Sequence, residues 1–128
     1  MTYVDGFVLP APEGKLEAYR EMAEKAGKIW MEHGALSYKE CVLEDAEPEM
    51  PEDAPEKCKI TPFRDLANAK DGETVIFAFI LYKSRAHRDE VNGKVMADPR
   101  MKEACDENNM PFDPSRMTYG GFKTLVDL

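Results

Sequence analysis

Residues 73–83 read Glu-Thr-Val-Ile-Phe-Ala-Phe-Ile-Leu-Tyr-Lys, and Ser84-Arg-Ala-His-Arg-Asp-Glu-Val91 follows without a break. In an extended chain Val75, Phe77, Phe79 and Leu81 point to one side, and Ile76, Ala78, Ile80 and Tyr82 point to the other. A strand with one solvated face alternates apolar and polar residues. This one is apolar on both sides, so something must cover both. Ser84 then caps a helix expected over 85–97, with a short continuation after Asp98-Pro99 that ends near Cys105.

The flanking sequence supplies the rest of the fold. Tyr3 to Leu9 reads as a first strand, stopped by Pro10 and Pro12. Leu16, Tyr19, Ala23, Ala26, Trp30 and His33 form one stripe at helical spacing, so a helix is expected over about 13–33. Gly34 ends it. Ala35 to Leu43 reads as a second strand, with Leu36, Tyr38 and Val42 set against Ser37, Lys39 and Cys41. Ile60 to Lys70 is ambiguous, Asp71-Gly72 signals a turn, and Arg116 to Val126 reads as the last strand.

The order is strand, helix, strand, strand, helix, strand. It predicts an α+β fold, a ferredoxin-like βαββαβ sandwich with an antiparallel sheet and two helices on one face. Strands one and three are central in that arrangement, and two and four are edges. Two helices cover only one face. The second apolar face of strand three therefore predicts a second copy, and so a homodimer.

The 128 residues are expected to form a single domain. Formal net charge is -8, from 25 acids and 17 bases. The segment 44–56, EDAEPEMPEDAPE, holds seven of those acids and no base. An acidic, proline-rich loop is therefore expected over about 44–59, and the remaining surface is nearly neutral. Without a basic stripe, no nucleic-acid partner is expected. No signal peptide and no apolar run of membrane-spanning length is visible, so no membrane partner is expected either. Cys41, Cys58 and Cys105 are an odd number without CxxC spacing, consistent with reduced thiols and a cytoplasmic location.

Several separated motifs occur in order: Tyr3-Val-Asp-Gly-Phe7, His33-Gly-Ala-Leu36, Tyr82-Lys-Ser-Arg-Ala-His-Arg-Asp89 through Met96-Ala-Asp-Pro-Arg100, Met110-Pro-Phe-Asp113 and Tyr119-Gly-Gly-Phe122. Together they resemble the YbaA-like family of uncharacterised bacterial proteins, across nearly the whole chain. The resemblance implies the dimeric α/β-barrel superfold, in which two ferredoxin-like sheets close face to face. It implies no activity. Proteins of that superfold include cofactor-free mono-oxygenases, haem-degrading oxygenases, lactone isomerases and stress proteins, and choosing among them by fold is analogy.

Among single residues, His87 is the sharpest candidate for catalysis. It falls at the third helical position behind Ser84 and shares a face with Val91 and Val95. It could act as a base or a ligand, or simply bridge the helix cap and the sheet. His33, at the end of the first helix, is explained by capping the last carbonyls but could also line a pocket. Trp30, Tyr38, Phe77, Phe79, Tyr82 and Tyr119 could wall an aromatic pocket, although core packing explains them as well.

Asp5, in a central strand, needs a partner. Lys123 or Arg116 is the expected one, with a catalytic or dimer-interface role as the alternative. Gly120-Gly121 suggests a bulge or a close backbone approach. Two histidines cannot make a three-histidine metal site within one subunit, and no metal or cofactor motif is present, so none is expected. The leading expectation is a cytoplasmic homodimer, a small-molecule-binding or stress-related protein without established catalysis. The alternatives are a cofactor-free mono-oxygenase or isomerase for a small aromatic or polyketide-like compound, with His87 as base, and a haem-binding protein with His33 or His87 as axial ligand.

Overall fold

The computed structural model describes residues 1–46, 51–55 and 60–128. Its elements run β1 (Tyr3–Pro12), α1 (Leu16–Glu32), β2 (Ser37–Val42), α2 (Phe63–Leu66), β3 (Glu73–Tyr82), α3 (Arg85–Ala97), α4 (Arg100–Ala104) and β4 (Thr118–Lys123). The fold is α+β, built on one four-stranded sheet in the order β2-β3-β1-β4. Each neighbouring pair is antiparallel. Strands one and three are central, as their apolar composition required. Part of the acidic segment, including Cys58, lies outside the described residues.

β1 extends beyond its expected end at Leu9. It continues through both prolines, with Pro10 opposite Val75 and Pro12 opposite Glu73. Pairing with β4 stops at Val8 opposite Thr118. From Leu9 onward β1 has a free flank, where a nitrogen without hydrogen breaks no ladder bond. The expected bulge at Gly120-Gly121 is absent, because the register runs unbroken from Tyr3 opposite Lys123 to Val8 opposite Thr118. The close approach is present: a Cβ on Gly121 would collide with the Tyr3 hydroxyl.

Odd residues of β1 and even residues of β3 face the helices. Leu9, Ala11, Ile76, Ile80 and Tyr82 are all buried there. α1 meets them with Tyr19, Ala23 and Ala26 of the expected stripe and with Ile29 beside it. Gly27 lets α1 close on β2, since a Cβ there would sit 2.7 Å from the Tyr38 ring. Gly34, at φ +114°, turns the chain out of α1. α3 starts as expected: Ser84 Oγ accepts from the His87 backbone N–H at 3.1 Å. It contributes Val91 and Val95 to the core.

The other sheet face is open. Phe77 is 43% exposed and Phe122 60% exposed on it. The short α2 touches only its margin, where the Phe63 ring meets Phe77 edge-on. Among the described residues nothing covers its centre.

Candidate functional site

A cavity of about 230 Å³ lies between α1 and the sheet. β1 and β3 floor it with Phe7, Leu9, Ala78 and Ile80, and α1 roofs it with Met22, Ala26 and Trp30. Met101 of α4 and the segment carrying Met110, Phe112 and Met117 close the far side. Long, unbranched methionines at a cavity wall suit a site that adapts to its occupant.

Five lining residues carry polar side-chain groups: Tyr19, Trp30, Tyr38, Glu40 and Cys105. Tyr38 and Glu40 are neighbours on one face of β2, opposite Ile80 and Ala78 respectively. Tyr19 reaches down from α1, and its hydroxyl donates to Glu40 at 3.0 Å to Oε1 and 2.9 Å to Oε2. One proton thus serves two oxygens, whereas a carboxylate can accept about four hydrogen bonds.

The other acids of low exposure are matched by cations. Asp5, 1% exposed, takes Arg88 at 2.7 Å. Glu73 takes Arg116 at 2.6 Å. Asp98 takes Arg100 at 2.7 Å and His33 at 2.8 Å. Glu40 has no ion pair among the described residues. Arg20, which lines both clefts that Glu40 borders, is engaged by Glu17 and Glu24.

The electrostatics follow from that isolation. Burial pushes Glu40 up from its ordinary 4.5 to about 7, against the lowering effect of the Tyr19 hydroxyl. Burial, and then the nearby Glu40 charge, pushes both Tyr19 and Tyr38 well above the ordinary phenol range, so both stay protonated. Burial likewise raises the Cys105 thiol, with Glu40 adding to it. A thiol held protonated is a poor nucleophile. Glu40 is therefore the one cavity group that changes charge near neutral pH. It also borders two surface clefts flanking α1, so the α1–β2 seam connects the cavity to solvent.

The residues singled out from sequence divide. Trp30 and Tyr38 line the cavity. Only the Trp30 ring is offered to it, because Nε1 is committed to the Tyr82 hydroxyl at 3.1 Å and to Asn92 at 3.3 Å. Phe77 and Phe79 lie on the opposite face of β3, in register with Cys41 and Lys39, and cannot share a site with Tyr38. Their parity along β3 decides this.

His33 is bound to Asp98, whose carboxyl is held well below the usual range by Arg100 first and His33 second. His87 Nδ1 accepts from the Lys83 backbone N–H at 3.0 Å, its ring stands edge-on to Tyr82, and it does not line the cavity. That is the bridging role between helix cap and sheet. Asp5 is paired as required, but by Arg88 rather than Lys123 or Arg116. Lys123 is opposite Tyr3, and Arg116 is held by Glu73. The Arg88 guanidinium also lies 4.9 Å from the centre of the Tyr3 ring and donates to the Tyr119 hydroxyl at 2.9 Å. Among the described residues no group of three or more His, Cys, Asp or Glu could hold a metal ion. No helix there is long and apolar enough to cross a membrane.

Glu40 was missed in the sequence. The signal was available, because Tyr38, Glu40 and Val42 share one parity. A lone glutamate between two inward residues is the anomaly to look for.

Residues 2–114 match the family described as a protein of unknown function, DUF1428. The chain is similar to the "Uncharacterized protein YbaA" of Escherichia coli strain K12, 46% identical over 127 residues that cover 99% of each chain. It is equally similar to the YbaA protein of Shigella flexneri, again 46% identical over 127 residues and 99% of each.

Proposed function

The chain belongs to the DUF1428 family, and on that premise we propose that it binds a small, largely apolar molecule with one hydrogen-bonding head group in the α1–sheet cavity. The head group is received by Glu40. The observation that carries this reading is the unpaired carboxyl of Glu40 at an apolar cavity. Burying an ionisable group without a cation costs stability, so its presence there is better explained by a ligand than by packing. The cavity is smaller than a drug-sized site, so the ligand is a one-ring compound or its open-chain equivalent.

Thermal-shift screening of small phenols, enols and cyclic ketones tests it, because a ligand specific to the folded state raises the melting temperature. Hits should be lost in Ala78→Leu, which fills the cavity floor opposite Glu40. Hits unaffected by Ala78→Leu and Glu40→Gln would defeat the reading.

The open sheet face favours a second part of the proposal. Val4, Val8, Phe77, Phe79, Leu81 and Phe122 share one parity and form an apolar surface. We assign it to a second copy, which gives a dimeric α/β barrel of ferredoxin-like subunits. A monomer at micromolar concentration in light scattering would remove this part. A cytoplasmic location completes the proposal, supported by the free thiols of Cys41 and Cys105 and tested by cell fractionation.

A further inference from the structure

We propose that Glu40 and Tyr38 form a proton-transfer site that isomerises an unsaturated ketone by moving one hydrogen between two carbons. This rests on the cavity being a ligand site, and adds a reaction to it. Glu40 and Tyr38 project from the same face of β2 with one residue between them. Alternate residues on a strand are about 7 Å apart, the reach of a ketone oxygen hydrogen-bonded at one end and an acidic carbon at the other. Both side chains line the cavity. The Tyr38 hydroxyl makes no hydrogen bond to another described side chain, and Tyr38 lines both the cavity and the cleft outside it, so its O–H is free to meet an acceptor on a ligand. Trp30, whose indole N–H also belongs to a lining residue, has spent it on Tyr82 and Asn92.

The step balances without a cofactor or co-reactant. The Glu40 carboxylate takes a proton from the carbon between the carbonyl and the double bond of a β,γ-unsaturated ketone. The electron pair left behind moves into a dienolate, whose oxygen is stabilised by the Tyr38 O–H. The neutral Glu40 then returns the proton to the far carbon, and the double bond ends in conjugation with the carbonyl. A base that titrates near neutrality can both take and return a proton. Tyr19 is a positioning residue, because it touches Glu40 and lowers its proton affinity.

The test uses the full chain, a β,γ-unsaturated cyclohexenone as substrate and meta-cresol as an inert mimic of the enol. Conjugation is followed by ultraviolet absorbance, and deuterium uptake from heavy water by proton NMR. Glu40→Gln should cut turnover by about a hundredfold or more, and Tyr38→Phe by about a hundredfold. Both should keep a cooperative melt. In Tyr19→Phe the acid limb of the pH–rate profile should move from about pH 7 to higher pH, because the hydrogen bond that lowers Glu40 is gone. A purely structural Tyr19 would leave that limb in place. Meta-cresol binding with no isomerisation or exchange above the Glu40→Gln level would overturn the reaction and leave the ligand site standing. Absence of binding by both probes would overturn the two together.

Discussion

Replacing Glu40 with glutamine isolates the energetic consequence of an unpaired carboxyl. Glutamine keeps the shape and can still accept from Tyr19, but it does not titrate. The folded protein holds the Glu40 proton up to about pH 7, against 4.5 for an ordinary glutamate. Between those values the folded state binds more protons than the unfolded chain, so stability falls as pH rises. The gap sets a ceiling of about 3 kcal/mol, at about 1.4 kcal/mol per pH step. Water reaches this half-buried side chain through the two clefts, which reduces the expected effect to about 1–2 kcal/mol. Glu40→Gln should therefore be nearly neutral around pH 5 and stabilising by about 1–2 kcal/mol around pH 8. Urea unfolding of both proteins at matched concentration across that range reads the difference directly. A difference that stays constant with pH, or grows toward acid, would show that the carboxyl is solvated and refute the reasoning.

Other perturbations test the surroundings of the site. Arg88→Ala strands the buried Asp5 carboxylate and should cost about 3–5 kcal/mol in urea unfolding, with much of it recovered by adding Asp5→Asn. Gly27→Ala drives a methyl to 2.7 Å from the Tyr38 ring, which should cost about 1–3 kcal/mol and weaken any cavity ligand in the thermal-shift assay. Arg116 holds Glu73 down to about 2, so the stability this pair contributes is present above the ordinary 4.5 and lost as pH falls toward 2; Arg116→Leu should flatten that acid limb in a pH series of melting temperatures. Phe77→Glu places a charge on the open sheet face and should turn the proposed dimer into a monomer in light scattering, without altering far-ultraviolet circular dichroism.

How legible these features were in the sequence depended on whether the signal was local. Period-two and period-3.6 patterns are local, and they located β3, the Ser84 cap and the α1 stripe. Pro10 and Pro12 misled because their cost depends on a neighbour. Where β4 stops at Val8 they are harmless, and no property of β1 shows that. The partner of Asp5 is 83 residues away, and four strands of register cannot say which α3 side chain lies above it. Gly121 lies opposite Asp5 in the sheet, yet the ion pair comes from the helix layer. The pocket aromatics divide by parity: Phe77 and Phe79 had already been set on the face away from Ala78, so grouping them with Tyr38 ignored the rule that built the strand. Glu40 obeys the same rule. It escaped attention because a glutamate in a mixed edge strand looks solvent-facing until its parity is compared with Tyr38 and Val42.

The two apolar faces of β3 serve different ends and share one backbone. Ala78 faces Glu40 across the cavity floor, while Phe77 and Phe79 on either side of it point to the open face. The cavity floor is thus one residue thick, and what packs behind it bears on its shape. An open face of phenylalanines in water leaves their side chains free among rotamers, whereas a second sheet packed against them fixes those rotamers. Ala78 is small enough to leave room above it, so the floor keeps its position through the strands and not through its own side chain. The double-sided hydrophobicity of residues 75–82 therefore has a consequence beyond burial. A copy closing on the outer face would preorganise the inner cavity, lowering the ordering cost of binding there. Assembly and ligand affinity are then coupled through a single strand, and a change confined to the outer face can be felt at Glu40 without touching it.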